Sequence, residues 1–483
     1  MAAESYLAID LGAGSGRTML GRIQDDRISL EELHRFPNPG VRALGSLHWD
    51  ALSLFAEMKQ GLAKAASEKP VSLGVDTWGV DFALLDRDGQ LVGNPFHYRD
   101  ERTSGLMQRA FEIVSREEIF ESTGLQFMEL NSLYQLLAMK DSSALDAAET
   151  LLLMPDLFHY WFTGRKACEL TDSSTTQFYD PRKKDWARGL LGKLGLPVGM
   201  LAEIVEPGTT LGPLEGRTVA ECGVNAMQVV APGSHDTASA VAAVPADGDD
   251  WAFLSSGTWS LLGVETPQPF VTAECLKRNF TNEGGVWGTT RLLKNISGLW
   301  LLEESRREWS RQGVETSYEQ LITEARQAEP FRSVVDVNDP SFVAPGDMPG
   351  RIAAWCERNG QLSPETPGQF ARTIFESLAV MYRLVLEDLA AITGRKRSRL
   401  HIVGGGSRNE LLCQYAADAC GVEVVAGPVE ATALGNVLLQ AIAAGRVAGG
   451  AQAREIVRRS FEPKRYEPRL GDGWAEAAGL LRA

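Results

Sequence analysis

The stretch AIDLGAGSGR, residues 8–17, decides the reading of this chain. An apolar run ends in Asp10, and a turn of small residues with Gly12, Gly14 and Gly16 follows at once. Such glycines allow positive φ and close backbone approach, so successive N–H groups can converge on an anion. A carboxylate directly before an anion-binding turn is then a problem of like charge. A cation between the two resolves it. Hydrated magnesium fits, because it takes oxygen ligands, keeps several waters and bridges carboxylate to phosphate. Asp-x-Gly after a strand is equally compatible with an ordinary hairpin turn.

Two familiar phosphate loops do not match. A P-loop needs a lysine after its last glycine, and the dinucleotide pattern G-x-G-x-x-G needs glycine where Arg17 stands. Both also lead into a helix. Here RTMLGRIQDDRISLEELHRF, residues 17–36, reads as strand, polar turn at Gln24 to Asp26, and strand. A phosphate turn inside a β-hairpin resembles the opening of the actin-like ATPase fold of sugar kinases, actins and ATP-dependent chaperones.

With 483 residues the chain is too long for one ordinary core, so two domains are expected. Its 44% hydrophobic and 23% charged residues are those of a globular protein. The net charge of −15 opposes binding to nucleic acid or an anionic membrane surface. MAAESYLAID carries no basic, apolar signal peptide, and no run is long and apolar enough to span a bilayer, so a cytoplasmic protein is expected. The six cysteines show neither C-x-x-C pairing nor zinc spacing and read as reduced structural thiols.

The opening is echoed by WAFLSSGTWSLLGVE, residues 251–265: strand, small-residue turn, strand. PADGDD, residues 245–250, has the composition of a boundary, which sets domains at 1–245 and 246–483. In the second half Thr366, Pro367 and Gln369 form a helix start, and Ile374, Leu378, Met381, Val385, Leu389 and Ile392 repeat at helical spacing up to Gly394. The strand RLHIVGGG then places Gly404 to Gly406 where a strand ends and a helix begins, a usual place for a ligand and also for a tight turn. VVAPGSHDTASAVAAVP, residues 229–245, is again strand, turn and helix. Asp236 reads either as a helix cap or as a general base that accepts a hydroxyl proton during phosphoryl transfer. His235 beside it reads either as a structural histidine or as a ligand of a sugar hydroxyl.

AIDLGAGSGR, GVDTWGVDFALLD, YRDERT, PGSHDTASAV, FLSSGTWSLLG, LLKNISGLWLLEESRREW and HIVGGGSRNELLCQYAADACG occur in this order along essentially the whole chain. The set resembles the FGGY carbohydrate kinases. The resemblance implies an α/β protein of two ribonuclease H-like, actin-like ATPase domains around an interdomain cleft, using ATP and Mg2+ to phosphorylate a small-molecule ketose. It implies L-rhamnulose as the acceptor, at its 1-hydroxyl, with L-fuculose, D-xylulose, L-ribulose or a polyol as alternatives.

Carried onto this chain, the family pattern puts the first phosphate turn on Ala13, Gly14, Ser15, Gly16 and Arg17, with Asp10 near the magnesium. Thr258 matches the second phosphate turn, Gly405 the adenosine contact, and Asp236 the catalytic base. The sugar meets Gly79, His235, Asp236, Thr237 and Asn295. Glu303 stands where the family pattern leads one to expect a nucleotide-contacting glutamine, and an anion there repels phosphate. Asp100 and Arg102 of YRDERT read as a structural ion pair. Trp78 and Gly79 stand where xylulose kinases present methionine, histidine and glycine, and an uncharged aromatic wall suits a deoxy sugar. A protein that uses ATP only as a conformational switch lacks an acceptor base such as Asp236. A dehydrogenase is disfavoured by the hairpin after the first turn.

Overall fold

In the computed structural model, which describes residues 3–469, 471 and 473–482, the opening stretch forms a meander. Positions 1, 2 and 483, at the outer ends of the expected domains, lie outside the described residues. Its strands β1 (Glu4–Leu11), β2 (Ser15–Gln24) and β3 (Arg27–Pro37) pair antiparallel. Asp25 and Asp26 both have positive φ, 49° and 56°, the backbone that a two-residue hairpin turn requires. Tyr6 to Leu11 are buried throughout, as befits a strand covered on both faces.

Contacts divide the chain into two units: Met1–Pro245, Glu265–Leu292 and Ala431–Phe461 in the first, and Ala246–Val264, Leu293–Glu430 and Glu462–Ala483 in the second. The single cut at 245/246 expected from PADGDD is therefore not the whole division, since two later segments return to the first unit. The helix Ala431–Ala443 shows why. Its Gly435 lies so close to the Ser239 backbone that a Cβ there would stand 1.8 Å from the carbonyl oxygen. Its Gln440 donates to the Leu7 carbonyl at 2.8 Å and accepts from the Ser72 hydroxyl at 2.6 Å. These polar groups satisfy one another only in this docking.

The first unit carries a six-stranded sheet ordered Thr209–Pro213, Gln228–Ala231, Ser72–Thr77, β1, β2, β3. Ser72–Thr77 runs parallel to both β1 and Gln228–Ala231, and the Thr209–Pro213 edge is antiparallel. The second unit repeats the plan. Trp251–Ser256 pairs antiparallel with Trp259–Thr266 and parallel with Arg399–Val403; Glu423–Ala426 follows in parallel, and Lys464–Tyr466 closes the edge antiparallel. The echo between the two opening hairpins is thus a repeat of topology.

The long helix spans Pro367–Thr393, with the Thr366 hydroxyl accepting from the Gln369 N–H at 3.3 Å and Gly394 ending it at φ 69°. Of its expected apolar positions all but Ile392 are buried.

A cost in packing follows for the opening turn. A Cβ on Gly16 would lie 2.4 Å from the Phe36 ring and 2.5 Å from Leu11, whereas one on Gly14 meets nothing within 4 Å. Gly16→Ala is expected to destabilise the protein by about 1–3 kcal/mol. Gly14→Ala should stay within about 0.5 kcal/mol of the parent. Urea midpoints of the two variants check this.

Candidate active site

The turn between β1 and β2 is tied down by Asn38, whose amide donates to the Gly12 carbonyl at 2.9 Å and whose backbone N–H donates to the Gly14 carbonyl at 3.2 Å. Gly12, Gly14 and Gly16 do not adopt positive φ, contrary to the expectation that conformational freedom explains them. Gly16 is required by close packing, and Gly14 leaves an exposed, open backbone. Asp10 lies opposite Arg17 in the hairpin register, and the guanidinium reaches its Oδ2 at 2.8 and 3.1 Å. The chain itself thus places one cation beside the carboxylate that precedes the turn.

Across the parallel pairing, Asp10 also faces Asp76. Asp76 is fully buried and accepts from the Asn436 amide at 2.5 Å. Burial pushes its carboxyl well above the usual range; the charges of Asp10 and Asp236 add to this and the Asn436 hydrogen bond opposes it. Asp76 was not among the residues expected at the site; the signal for it is an acidic residue inside the fully buried strand SLGVDT.

Asp236 is the first residue of the helix Asp236–Ala242, and His235 is the N-cap, with no side-chain capping bond. The cap reading of Asp236 therefore falls. Its side chain is 30% exposed, with the His235 Nε2 3.5 Å from Oδ1. The Thr237 hydroxyl donates to the same oxygen at 3.0 Å. Thr237 is itself buried, so its hydroxyl serves Asp236. Burial raises the Asp236 carboxyl, His235 opposes the rise and Asp10 adds to it.

The loop before this helix hangs on buried acids. Glu169 accepts from the Ser234 N–H at 3.0 Å and from the Thr171 hydroxyl at 2.6 Å, and Thr171 in turn accepts from the His235 N–H at 3.1 Å. Burial pushes Glu169 up to about 8 and holds Asp156 and Asp172 well above the carboxylate range.

Gly79 packs on Thr175, whose hydroxyl oxygen accepts from the Val80 N–H at 2.9 Å. Val80 sits at φ 69°, an outlier for a β-branched residue. Trp78, expected as an aromatic wall, packs inward. It is 6% exposed, its indole N–H donates to Asp81 at 2.9 Å, and its ring lies 4.1 Å from that of Trp49. Asp81 also accepts from Trp49 and Gln135, and burial pushes it up to about 6. In YRDERT the pair is loose, 3.9 Å from Arg102 Nε to Asp100; Arg102 instead donates to Gln135, and Asp100 caps a short helix.

In the second unit Thr258 sits in the turn between Trp251–Ser256 and Trp259–Thr266, and its carbonyl accepts from the Gly298 and Trp300 N–H groups. Its hydroxyl donates to Glu303 at 3.4 Å. Gly404 adopts φ 83°, and Gly406 has no room for a Cβ, which would meet the Ser256 hydroxyl at 2.0 Å. Gly405, between them, has open space where a Cβ would stand. Asn295 lies half-buried on the strand Thr290–Ser297.

The residues singled out thus fall in two small-residue turns of repeated hairpins, in a glycine run at a strand end and at a helix start that carries a partly exposed carboxylate. The family models for the N-terminal and C-terminal domains of the FGGY family of carbohydrate kinases match residues 5–243 and 252–444. The chain belongs to this family. It is 46% identical to a rhamnulokinase of Bacteroides thetaiotaomicron, over 98% of each chain. It is 38% identical to a rhamnulokinase of Bacillus subtilis, over 96% of this chain and 95% of the other. A ligand-bound xylulose kinase from Lactobacillus acidophilus shares the fold at TM-score 0.79 and 17% identity, covering 99% of this chain and 96% of that one. Plasmodium falciparum glycerol kinase with ADP does so at 0.77 and 14%, covering 99% and 97%.

The buried acids set a pH dependence. Each binds its proton more tightly in the folded chain, so the stability it contributes is full below its unfolded pKa and is lost as pH rises through the folded value. For Glu169 that window runs from about 4.5 to about 8. The urea midpoint should fall across it, and less steeply in Glu169→Gln, which has no charge to bury.

Proposed function

We propose that this chain transfers the γ-phosphoryl group of ATP to the 1-hydroxyl of L-rhamnulose, releasing L-rhamnulose 1-phosphate and ADP, as a step of L-rhamnose breakdown in the cytoplasm. The observation that carries the chemistry is Asp236, a partly exposed carboxylate held by Thr237 and flanked by His235. The choice of acceptor is supported by likeness to rhamnulokinases along nearly the whole chain. Among the described residues no helix is long and apolar enough to cross a membrane.

In this reading the sugar hydroxyl gives its proton to Asp236 as its oxygen bonds to the γ-phosphorus. The bond from that phosphorus to the bridging oxygen breaks, and its electron pair leaves with ADP. Backbone N–H groups of Ala13 to Arg17 and the Thr258 turn hold phosphates, and the open face of Gly405 takes the adenosine. Glu303 orients the Thr258 hydroxyl, which it already accepts, instead of facing phosphate. Gly79, His235 and Asn295 line the sugar, and Thr237 acts through Asp236.

Asp10 is the residue we assign to magnesium. Among the described residues no three His, Cys, Asp or Glu side chains form a metal cage. Magnesium takes one or two carboxylates together with substrate phosphates and water, and Asp10 is the carboxylate that stands directly before the turn. When bound, the ion offsets phosphate charge; every other role above belongs to the chain.

Asp236→Asn should lower turnover by about 10² or more while leaving ATP binding and the melting temperature near the parent, the scale expected on losing a general base. Steady-state kinetics with calorimetric ATP titration checks this, and unchanged turnover removes Asp236 from the mechanism. The acceptor is tested by ADP release over L-rhamnulose, L-fuculose, D-xylulose, L-ribulose and glycerol. L-Rhamnulose should show the highest kcat/KM. Another sugar in first place reassigns the acceptor within the family.

A further inference from the structure

Behind the proposed base lies an ion pair that the chemistry above does not use. Arg291, on the strand Thr290–Ser297, is completely buried, a costly place for a guanidinium without partners. Its Nη2 lies 3.3 Å from Glu283 Oε2 and 3.2 Å from His235 Nδ1, and its Nε donates to the Gly284 carbonyl at 2.8 Å. Glu283, 4% exposed on the strand Thr281–Gly284, also stands 3.3 Å from His235 Nδ1. The other ring nitrogen, Nε2, faces Asp236.

Arginine has donors and no acceptor, and Nη2 carries two hydrogens. One of them reaches the histidine, which requires a bare lone pair on Nδ1, while Glu283 Oε2 stands against the guanidinium as its ion-pair partner. The imidazole proton is then on Nε2, the nitrogen turned toward Asp236. We infer that Arg291 is a positioning residue that holds His235 in its Nε2–H tautomer, with Glu283 acting only through the charge of Arg291, so that the ring presents a hydrogen-bond donor beside the base.

The distance supports this use. At 3.5 Å, Nε2 and Asp236 Oδ1 are at the long limit of a direct bond, so both keep capacity for the acceptor sugar. A sugar hydroxyl oxygen can accept from Nε2–H while a proton goes to Asp236. In the opposite tautomer Nε2 and the carboxylate are two acceptors, and no donor meets the sugar oxygen. The charged groups about this ring are Asp236 on its own helix, Glu283 and Arg291 on the two strands, and, around Arg291, Glu169 and Glu265. Glu283 is the nearest charge to Arg291 and keeps that cation balanced.

The sugar-orienting consequence rests on the kinase reading, but the tautomer does not, so the test separates them. Proton-detected nitrogen-15 spectra of histidine-labelled protein, with His235 assigned by His235→Gln among the six histidines, read the ring directly without substrate. The expected result near pH 7 is a bare Nδ1 and a protonated Nε2. A protonated Nδ1, alone or in an imidazolium, overturns the proposal.

The double variant Arg291→Met, Glu283→Gln removes both charges together, avoiding a lone buried ion. It should mix the tautomers and lower kcat/KM for the sugar by about 10–10²-fold, with the KM for ATP within about twofold. Arg291→Lys, which still donates, should recover part of the loss. Parallel losses for both substrates that track the melting temperature mark a merely structural pair and also overturn it. A wild-type protein with the expected tautomer but no sugar phosphorylation rejects the kinase reading and leaves the tautomer assignment standing.

Discussion

Carboxylates gathered where water is scarce are the constraint around which the first unit is built. Asp10 and Asp76 are register partners on adjacent parallel strands; burial raises the proton affinity of Asp76 and of Asp236, and the charge of Asp10 adds to both. Left uncompensated, such an arrangement would protonate or come apart. Each carboxylate instead has its own partner: Arg17 for Asp10, Asn436 for Asp76, and Thr237 with His235 for Asp236.

Close backbone approach makes those partnerships possible. Gly435 lets the helix Ala431–Ala443 lie against the Ser239 backbone, and Gly74 leaves room for Asn436 to reach Asp76 from that helix. In the second unit Gly406 lies against Ser256, while Gly405 beside it faces open space. These glycines do different work. Some admit a neighbouring backbone or side chain, and others leave a surface bare for a ligand.

The acids behind the Ser234–His235 loop show how stability gives way to site geometry. Glu169 holds the loop through two donors although burial pushes it up to about 8. A neutral acid there costs less than a charged one and still accepts hydrogen bonds. Val80 at positive φ beside Gly79 is a second local cost in the same unit, of the kind that functional sites accumulate.

The two hairpins, the long capped helix and the ordered family motifs were legible in the sequence, because each depends on residues close together along the chain. The places of Asp10 near a strand end and of His235 and Asp236 at a helix start were legible as well, since local pattern sets them. Asp76, Glu283 and Arg291 were not, because each lies within a strand with no local motif to mark it. Nor was the return of Ala431–Phe461 to the first unit, or the burial of Trp78 against Trp49 and Asp81. Asn436 and Asp76 are 360 positions apart. Whether a polar group becomes a buried partner or a surface residue depends on which distant element closes over it, and that is decided by tertiary packing.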